Sequence, residues 1–197
     1  MHSHGNAVDL GGQLPCLAML SRALSCNVVA WDYRGYGCSG GIPRASKLES
    51  DAAAVLAHVK RARGLEDGDV LLYGQSLGSA PACALGAAHA RLAGVVLHSA
   101  LLSGMRTLSP SVRWWPRWAD VAVNDALVPK IAAPLLVLHG TADRVVPWQH
   151  GCALAALARS PAETLWAQGR GHDDVEADKR YLDTLVRFAE RCWGGKR

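Results

Sequence analysis

The pentapeptide Gly74-Gln75-Ser76-Leu77-Gly78 carries the residue types of a nucleophile turn. A serine with glycine two residues to either side can sit on a sharp bend, because backbones pass closely where no side chain intervenes. The bend lifts the Ser76 hydroxyl clear of its surroundings. It also leaves the Leu77 N–H at the start of a helix, where it can hold negative charge. A hydroxyl is a poor nucleophile at neutral pH and needs a base, and a histidine base needs a carboxylate to orient it. Asp143, in HGTADRVVP, and His172, in GRGHDD, are the candidates. Asp120 and Asp125 are weaker candidates for the acid, and Asp173 and Asp174 read as charges at a helix N-terminus. The chemistry these residues suit is acyl transfer from an ester or thioester, with no metal or organic cofactor.

The elements that must position these groups alternate along the chain. Short apolar runs at 27–33, 70–73, 95–98, 135–139 and 164–167 read as strands. Helical spacing fills 46–64, 79–91, 154–159 and 175–192, and Ser46 with Glu49 reads as a capping box for the first of these. Strands that are apolar throughout are buried on both faces, and their alternation with helices implies right-handed crossovers. The expected fold is therefore α/β, a mostly parallel sheet with helices on both faces. Ligands in such folds sit at the carboxyl ends of the strands. Ser76, flanked by Gly74 and Gly78, and Asp143 and His172 all lie just past strand ends, and the three come in the chain order of α/β hydrolases. Residues 101–134 break the alternation. They hold Trp114, Trp115 and Trp118 and read as an insert or lid within one domain spanning 1–197.

Composition excludes other classes. Of 197 residues half are apolar and 19% charged, which is globular rather than disordered. The net charge of +4 comes from scattered residues, with no basic stripe for nucleic acid. No apolar run reaches the roughly 18 residues of a membrane helix, and the first ten residues are too polar for a secretory signal. Six cysteines without a C-x-x-C pair suggest reduced thiols in a cytoplasmic protein. Cys16, Cys26, Cys83, Cys152 and Cys192 are expected inside and Cys38 in an exposed loop. His98 and His139 end strands and are expected to be hydrogen-bonded in place, whereas His58, His89 and His150 read as surface residues. His2 and His4 lack a third partner at metal-ligand spacing.

Several segments together resemble one family. SHGNAVDLG, WDYRGYGCSGG, LLYGQSLGSAP, VVLHSALLSGMR, LLVLHGTADRVV and WAQGRGHDDVE are similar to the α/β-hydrolase-domain-containing protein 17 group, with the cell-wall-bending hydrolases as neighbours. The resemblance runs from Ser3 to about Phe188. It implies a serine hydrolase that removes palmitoyl groups from cysteine thioesters of membrane-associated proteins. In that reading Ser76 is the nucleophile, Asp143 the acid and His172 the base. The Asn6 and Leu77 N–H groups are the oxyanion donors, with Gly5 allowing close approach to the site. The neighbouring group implies a small-ester or lipid esterase instead. Partners would be an S-acylated protein or a small acyl ester. The cysteine-rich N-terminal segment that holds such proteins on membranes has no counterpart here, and the insert departs from the family pattern.

The resemblance also sets an expectation about the sheet. Its strand order is 1-2-4-3-5-6-7-8, and this chain starts at the end of strand three, so strands 1–3 are expected to be absent. Residues 27–33 and 70–73 would then face each other across a gap. About ten hydrogen bonds at roughly 0.5–1.5 kcal/mol net each would be forfeited, comparable to the stability of a domain. The expectation is a truncated product in which either 27–33 shifts across to pair with 70–73 or the fold is marginal. A shift would take Asn6 away from the oxyanion position.

Overall fold

The computed structural model describes residues 1–108 and 120–194. The tryptophans of the expected insert, Trp114, Trp115 and Trp118, lie outside the described residues. Five strands form one parallel sheet in the order of the chain: β1 (His2–Ser3), β2 (Leu71–Gln75), β3 (Gly94–His98), β4 (Leu135–Gly140) and β5 (Glu163–Ala167). Strands β3 and β4 are buried at every position. Their alternate side chains feed two cores. Leu72, Val95, Leu97 and Val137 pack with Leu56, Leu85 and Leu154, from α2 (Leu48–Arg63), α3 (Ser79–Ala88) and α6 (Gln149–Leu157). Tyr73, Val96, Leu136 and Leu138 pack on the other face with Leu20 of α1 (Leu10–Ala23) and Leu185 and Phe188 of α7 (Tyr181–Trp193). Two short helices, α4 (Gly104–Leu108) and α5 (Asn124–Leu127), follow β3. Among the described residues no helix is long and apolar enough to cross a membrane.

The expected gap in the sheet is filled, and the shift of 27–33 does not occur. The backbone of Met1–Ser3 stands between the two segments. His2 N–H donates to the Val29 carbonyl at 2.7 Å, Tyr73 N–H to the Met1 carbonyl at 2.9 Å, and the Met1 amine to the Leu71 carbonyl at 2.7 Å. Residues 27–33 do not form a full strand: Ala30 alone bridges to His2, because the neighbour it could pair with is only two residues long. Asn6 is thus carried out of β1 directly beside the end of β2.

Helix α1 has no counterpart in the sequence reading. Gly11, Gly12 and Pro15 are poor helix formers, and they mask it. It is held by Asp9, whose carboxylate accepts from Gly12 N–H at 3.0 Å, and by burial of Leu20 against the sheet. The capping box of Ser46 and Glu49 is not formed. Residues Ala45–Lys47 make a 3-10 turn, α2 begins at Leu48, and no side chain caps it. Its end at Gly64, left-handed with φ 64°, is the glycine stop the sequence announces. Of the cysteines expected inside, Cys83 is buried while Cys16, Cys26, Cys152 and Cys192 are partly exposed, and no disulfide joins any of the six. His150 is buried rather than superficial, because α6 starts at Gln149 and turns its imidazole inward to accept from Leu102 N–H at 3.2 Å.

Candidate active site

Ser76 follows β2 without a spacer and opens a 3-10 turn that runs into α3. Its φ is +50°, in the left-handed region that costs a residue with a Cβ. Both flanking glycines have steric reasons. A methyl on Gly78 would land on the Ser3 carbonyl, 2.5 Å from its carbon and 2.9 Å from the His4 oxygen. A methyl on Gly74 would strike the Gly78 carbonyl and sit 2.7 Å from the Ala82 side chain. The bend is therefore locked between β1 and the first turn of α3. Ser79 fixes it further by donating its hydroxyl to the Ser76 carbonyl at 2.6 Å.

Asp143 lies in the turn after β4, and its first carboxylate oxygen accepts from Val145 N–H and Val146 N–H, each at 2.8 Å. Its second oxygen is 2.7 Å from Nδ1 of His172. His172 comes from the turn after β5. The two turns are laced together: Thr141 N–H donates to the Ala167 carbonyl at 3.0 Å and Ala142 N–H to the Arg170 carbonyl at 2.9 Å. Gly140 makes this possible, since a side chain there would fall on the carbonyls of Arg170 and Gly171. The other imidazole nitrogen, Nε2, is 3.0 Å from the Ser76 hydroxyl. Three groups separated by up to 96 residues are thus brought into one hydrogen-bonded row.

The electrostatics follow from those contacts. Burial works against the Asp143 carboxylate, but hydrogen bonds from His139, His172 and the Val146 N–H outweigh it and hold its pKa far below the usual range. For His172 burial works downward, and the hydrogen bond and charge of Asp143 outweigh it, so its pKa stands above the ordinary 6.5. A neutral His172 donates Nδ1–H to Asp143, which leaves Nε2 as the acceptor facing the hydroxyl. Such a row can take a proton from a serine and return it to a leaving group.

Asn6 and Leu77 line one opening of about 190 Å³ with Tyr33, Tyr36, Pro43 and Leu48. A Cβ built on Gly5 would be 3.7 Å from the Ser76 Cβ, so the loop passes close to Ser76. His4 Nδ1–H donates to the Gly5 carbonyl at 2.7 Å. In a trans peptide the next N–H points the opposite way from that carbonyl, so this bond also fixes the direction of the Asn6 N–H. A larger cavity, about 580 Å³, is lined by Met1, His2, Val28, Leu71 and Trp193 near the start of β2. It holds none of the groups in the row, and size alone does not make it the reactive site.

The weaker acids are engaged elsewhere. Asp125 pairs with Arg106 at 2.9 Å, and Asp120 accepts from Met105 N–H at 2.9 Å. Asp174 caps the turn of His172 by accepting from Gly171 N–H at 2.5 Å. His98 and His139 are buried and hydrogen-bonded at their strand ends, as expected. His139 does something further that the sequence reading missed. Its Nε2 donates to the Val146 carbonyl at 2.8 Å and also lies 3.3 Å from Asp143, making a second imidazole beside the carboxylate. The i, i+4 spacing in LHGTAD was the available signal. His2 and His4 are buried in and just after β1, and among the described residues no cluster could hold a metal ion.

Residues 22–131 match the family model described as serine aminopeptidase, S33. The chain is 39% identical to human alpha/beta hydrolase domain-containing protein 17B over 191 residues, covering 97% of this chain and 66% of that protein. It is 40% identical to the Caenorhabditis elegans alpha/beta hydrolase domain-containing protein aho-3, covering 96% of this chain and 57% of the relative. The chain thus spans about two thirds or less of these relatives. Among solved structures, the Pyrococcus furiosus esterase Pf2001 superposes with a TM-score of 0.79 at 18% identity, over 96% of this chain and 81% of that one. The Paleococcus ferrophilus monoacylglycerol lipase gives 0.73 at 17% identity, over 97% and 93%. At such identities the likeness concerns the fold.

Proposed function

Because this chain belongs to the serine aminopeptidase S33 family of α/β hydrolases, we propose that it is a serine hydrolase working through Ser76, His172 and Asp143. The observation that carries the reading is the row itself: hydroxyl to imidazole at 3.0 Å and imidazole to carboxylate at 2.7 Å. Ser76 Oγ attacks the acyl carbon while its proton passes to His172 Nε2. The carbonyl π pair moves onto oxygen, held by the N–H groups of Asn6 and Leu77. The tetrahedral adduct collapses, the bond to the leaving group breaks, and His172 returns the proton to that group. Water, deprotonated by the same imidazole, attacks the acyl carbon; the second adduct collapses, the bond to Ser76 Oγ breaks, and His172 returns the proton to that oxygen as the acid leaves. Asp143 stays ionised throughout and stabilises the imidazolium.

For the substrate we propose a long-chain acyl thioester, palmitoyl-cysteine of a protein, on the resemblance to the 17 group. Each buried CH₂ of such a chain contributes about 0.8 kcal/mol. A fluorophosphonate probe is expected to label the wild type and not Ser76→Ala. The wild type should hydrolyse a palmitoylated peptide in preference to a short nitrophenyl ester. A tenfold preference for the short ester would replace the thioesterase reading with the small-ester one. Absence of labelling in a folded sample would leave a non-catalytic chain.

The raised pKa of His172 gives a pH prediction. The imidazole must be neutral to accept the proton, so kcat/KM is full above its pKa and falls as the pH drops through it. The acid limb should have its midpoint above 6.5, the ordinary value. A midpoint at 6 would show that Asp143 does not dominate the imidazole.

A further inference from the structure

We propose that Tyr36 is a positioning residue for the reaction, acting through the side chain of Asn6 to hold the Asn6 N–H on the oxyanion; the proposal rests on the acyl-transfer reading above. The Tyr36 hydroxyl donates to Oδ1 of Asn6 at 2.5 Å, joining two loops that are 30 residues apart. Asn6 is exposed, and it opens the turn between β1 and α1. The peptide that carries its N–H is gripped at the carbonyl end by His4, through the 2.7 Å bond to Gly5. The other end, at the Cα of Asn6, is tethered by Tyr36.

Tyr36 is itself held. Its ring meets that of Tyr33 edge-on, with centroids 5.4 Å apart and planes at 86°, and it lies 5.7 Å from the His4 ring. Its N–H donates to the Tyr33 carbonyl at 2.9 Å. Tyr33 donates its own hydroxyl to the His4 carbonyl at 2.6 Å, so the loop that carries Tyr36 is tied to the strand end that carries Asn6. Gly35 and Gly37, with φ of 75° and 49°, give the loop its bend. A methyl on Gly37 would overlap the Asp32 carboxylate, whose Oδ1 accepts from Leu10 N–H at 2.9 Å, at the start of α1. Tyrosine loses only two side-chain torsions when fixed, which makes it an inexpensive strut. An oxyanion donor works only if its direction is set before charge develops, and small misplacements of reacting groups cost large factors.

The test compares wild type, Tyr36→Phe, Asn6→Ala and the double variant on a short nitrophenyl ester, with an alkyl trifluoromethyl ketone as inhibitor. Asn6→Ala keeps the backbone N–H and removes only the acceptor of the tether, so it interrogates the same bond from an exposed position. Each single variant should lose about tenfold in kcat with KM within about twofold. The ketone, which adds the Ser76 oxygen to give a bound oxyanion, should bind about tenfold more weakly in step. The double variant should be no worse than either single one, since both cut one bond. Melting temperatures should stay together. Unchanged kcat and ketone affinity in both single variants, or losses that multiply in the double, would overturn the positioning role alone. A wild type that turns over nothing and takes no label at Ser76 would overturn the acyl-transfer reading and this role with it.

Discussion

Replacing His172 with Ala is expected to lower kcat by about 10⁴–10⁶-fold while leaving the protein folded. Among the described residues the imidazole is the base that faces the Ser76 hydroxyl, with Nε2 3.0 Å away. Without it the hydroxyl must lose its proton to solvent, far below its own pKa. The side chain is partly exposed, and its bonds run to Asp143 and Ser76 rather than into either core, so the stability cost should be small. Asp143 keeps the N–H bonds of Val145 and Val146 and the neighbouring His139, which limits the cost of the vacated contact. Combining His172→Ala with Ser76→Ala should cost little more than either change, because the two side chains act as one unit. The measurement is turnover of a nitrophenyl ester, with circular dichroism to show that the fold persists. A folded His172→Ala variant with a tenth or more of wild-type kcat would remove the imidazole from the mechanism.

Gly78→Ala should produce the largest loss of stability per atom added. One methyl group would be forced against the Ser3 carbonyl, and no flexible side chain stands there to yield. Either β1 moves away from β2 or the Ser76 bend opens. Overpacking against fixed atoms costs about 1–3 kcal/mol or more, and a backbone obstacle belongs at the upper end. At roughly 2–4 °C per kcal/mol for a chain of this size, Tm should drop by about 6–12 °C. Activity should vanish even in the folded fraction, since the displaced atoms are those that carry Ser76 and Asn6. Gly40→Ala is the control. Nothing lies within 4 Å of a methyl there, so Tm should hold within about 2 °C. Equal melting temperatures for the two variants would mean that β1 does not press on the bend.

Much of this site is legible in the chain because its signals are local. A glycine at 74 and at 78, a serine between them, and apolar runs before Ser76, Asp143 and His172 are written as consecutive letters. They report which atoms sit on turns after strands, since turn chemistry and strand burial are short-range properties. The parallel sheet follows for the same reason: runs such as 95–98 and 135–139 are apolar on both faces. What escaped is long-range or sterically masked. Helix α1 was hidden by glycines and a proline, and packing of Leu20 on the sheet overrides their weak local preference. His150 reads as a surface residue because nothing local shows which side of α6 meets the Leu102 backbone.

The order of residues specifies the chemical groups available and the end of the sheet at which each emerges. Whether those groups meet is settled by contacts between distant segments. That Met1–Ser3 slips between residues 27–33 and β2, that the turns after β4 and β5 lace together over Gly140, and that Tyr36 reaches Asn6 are contacts across 26 to 72 residues of chain. The first two depend on backbone hydrogen bonds, which any residue can make, and the third on two side chains whose meeting is set by how the loops pack, so none is marked by neighbouring letters.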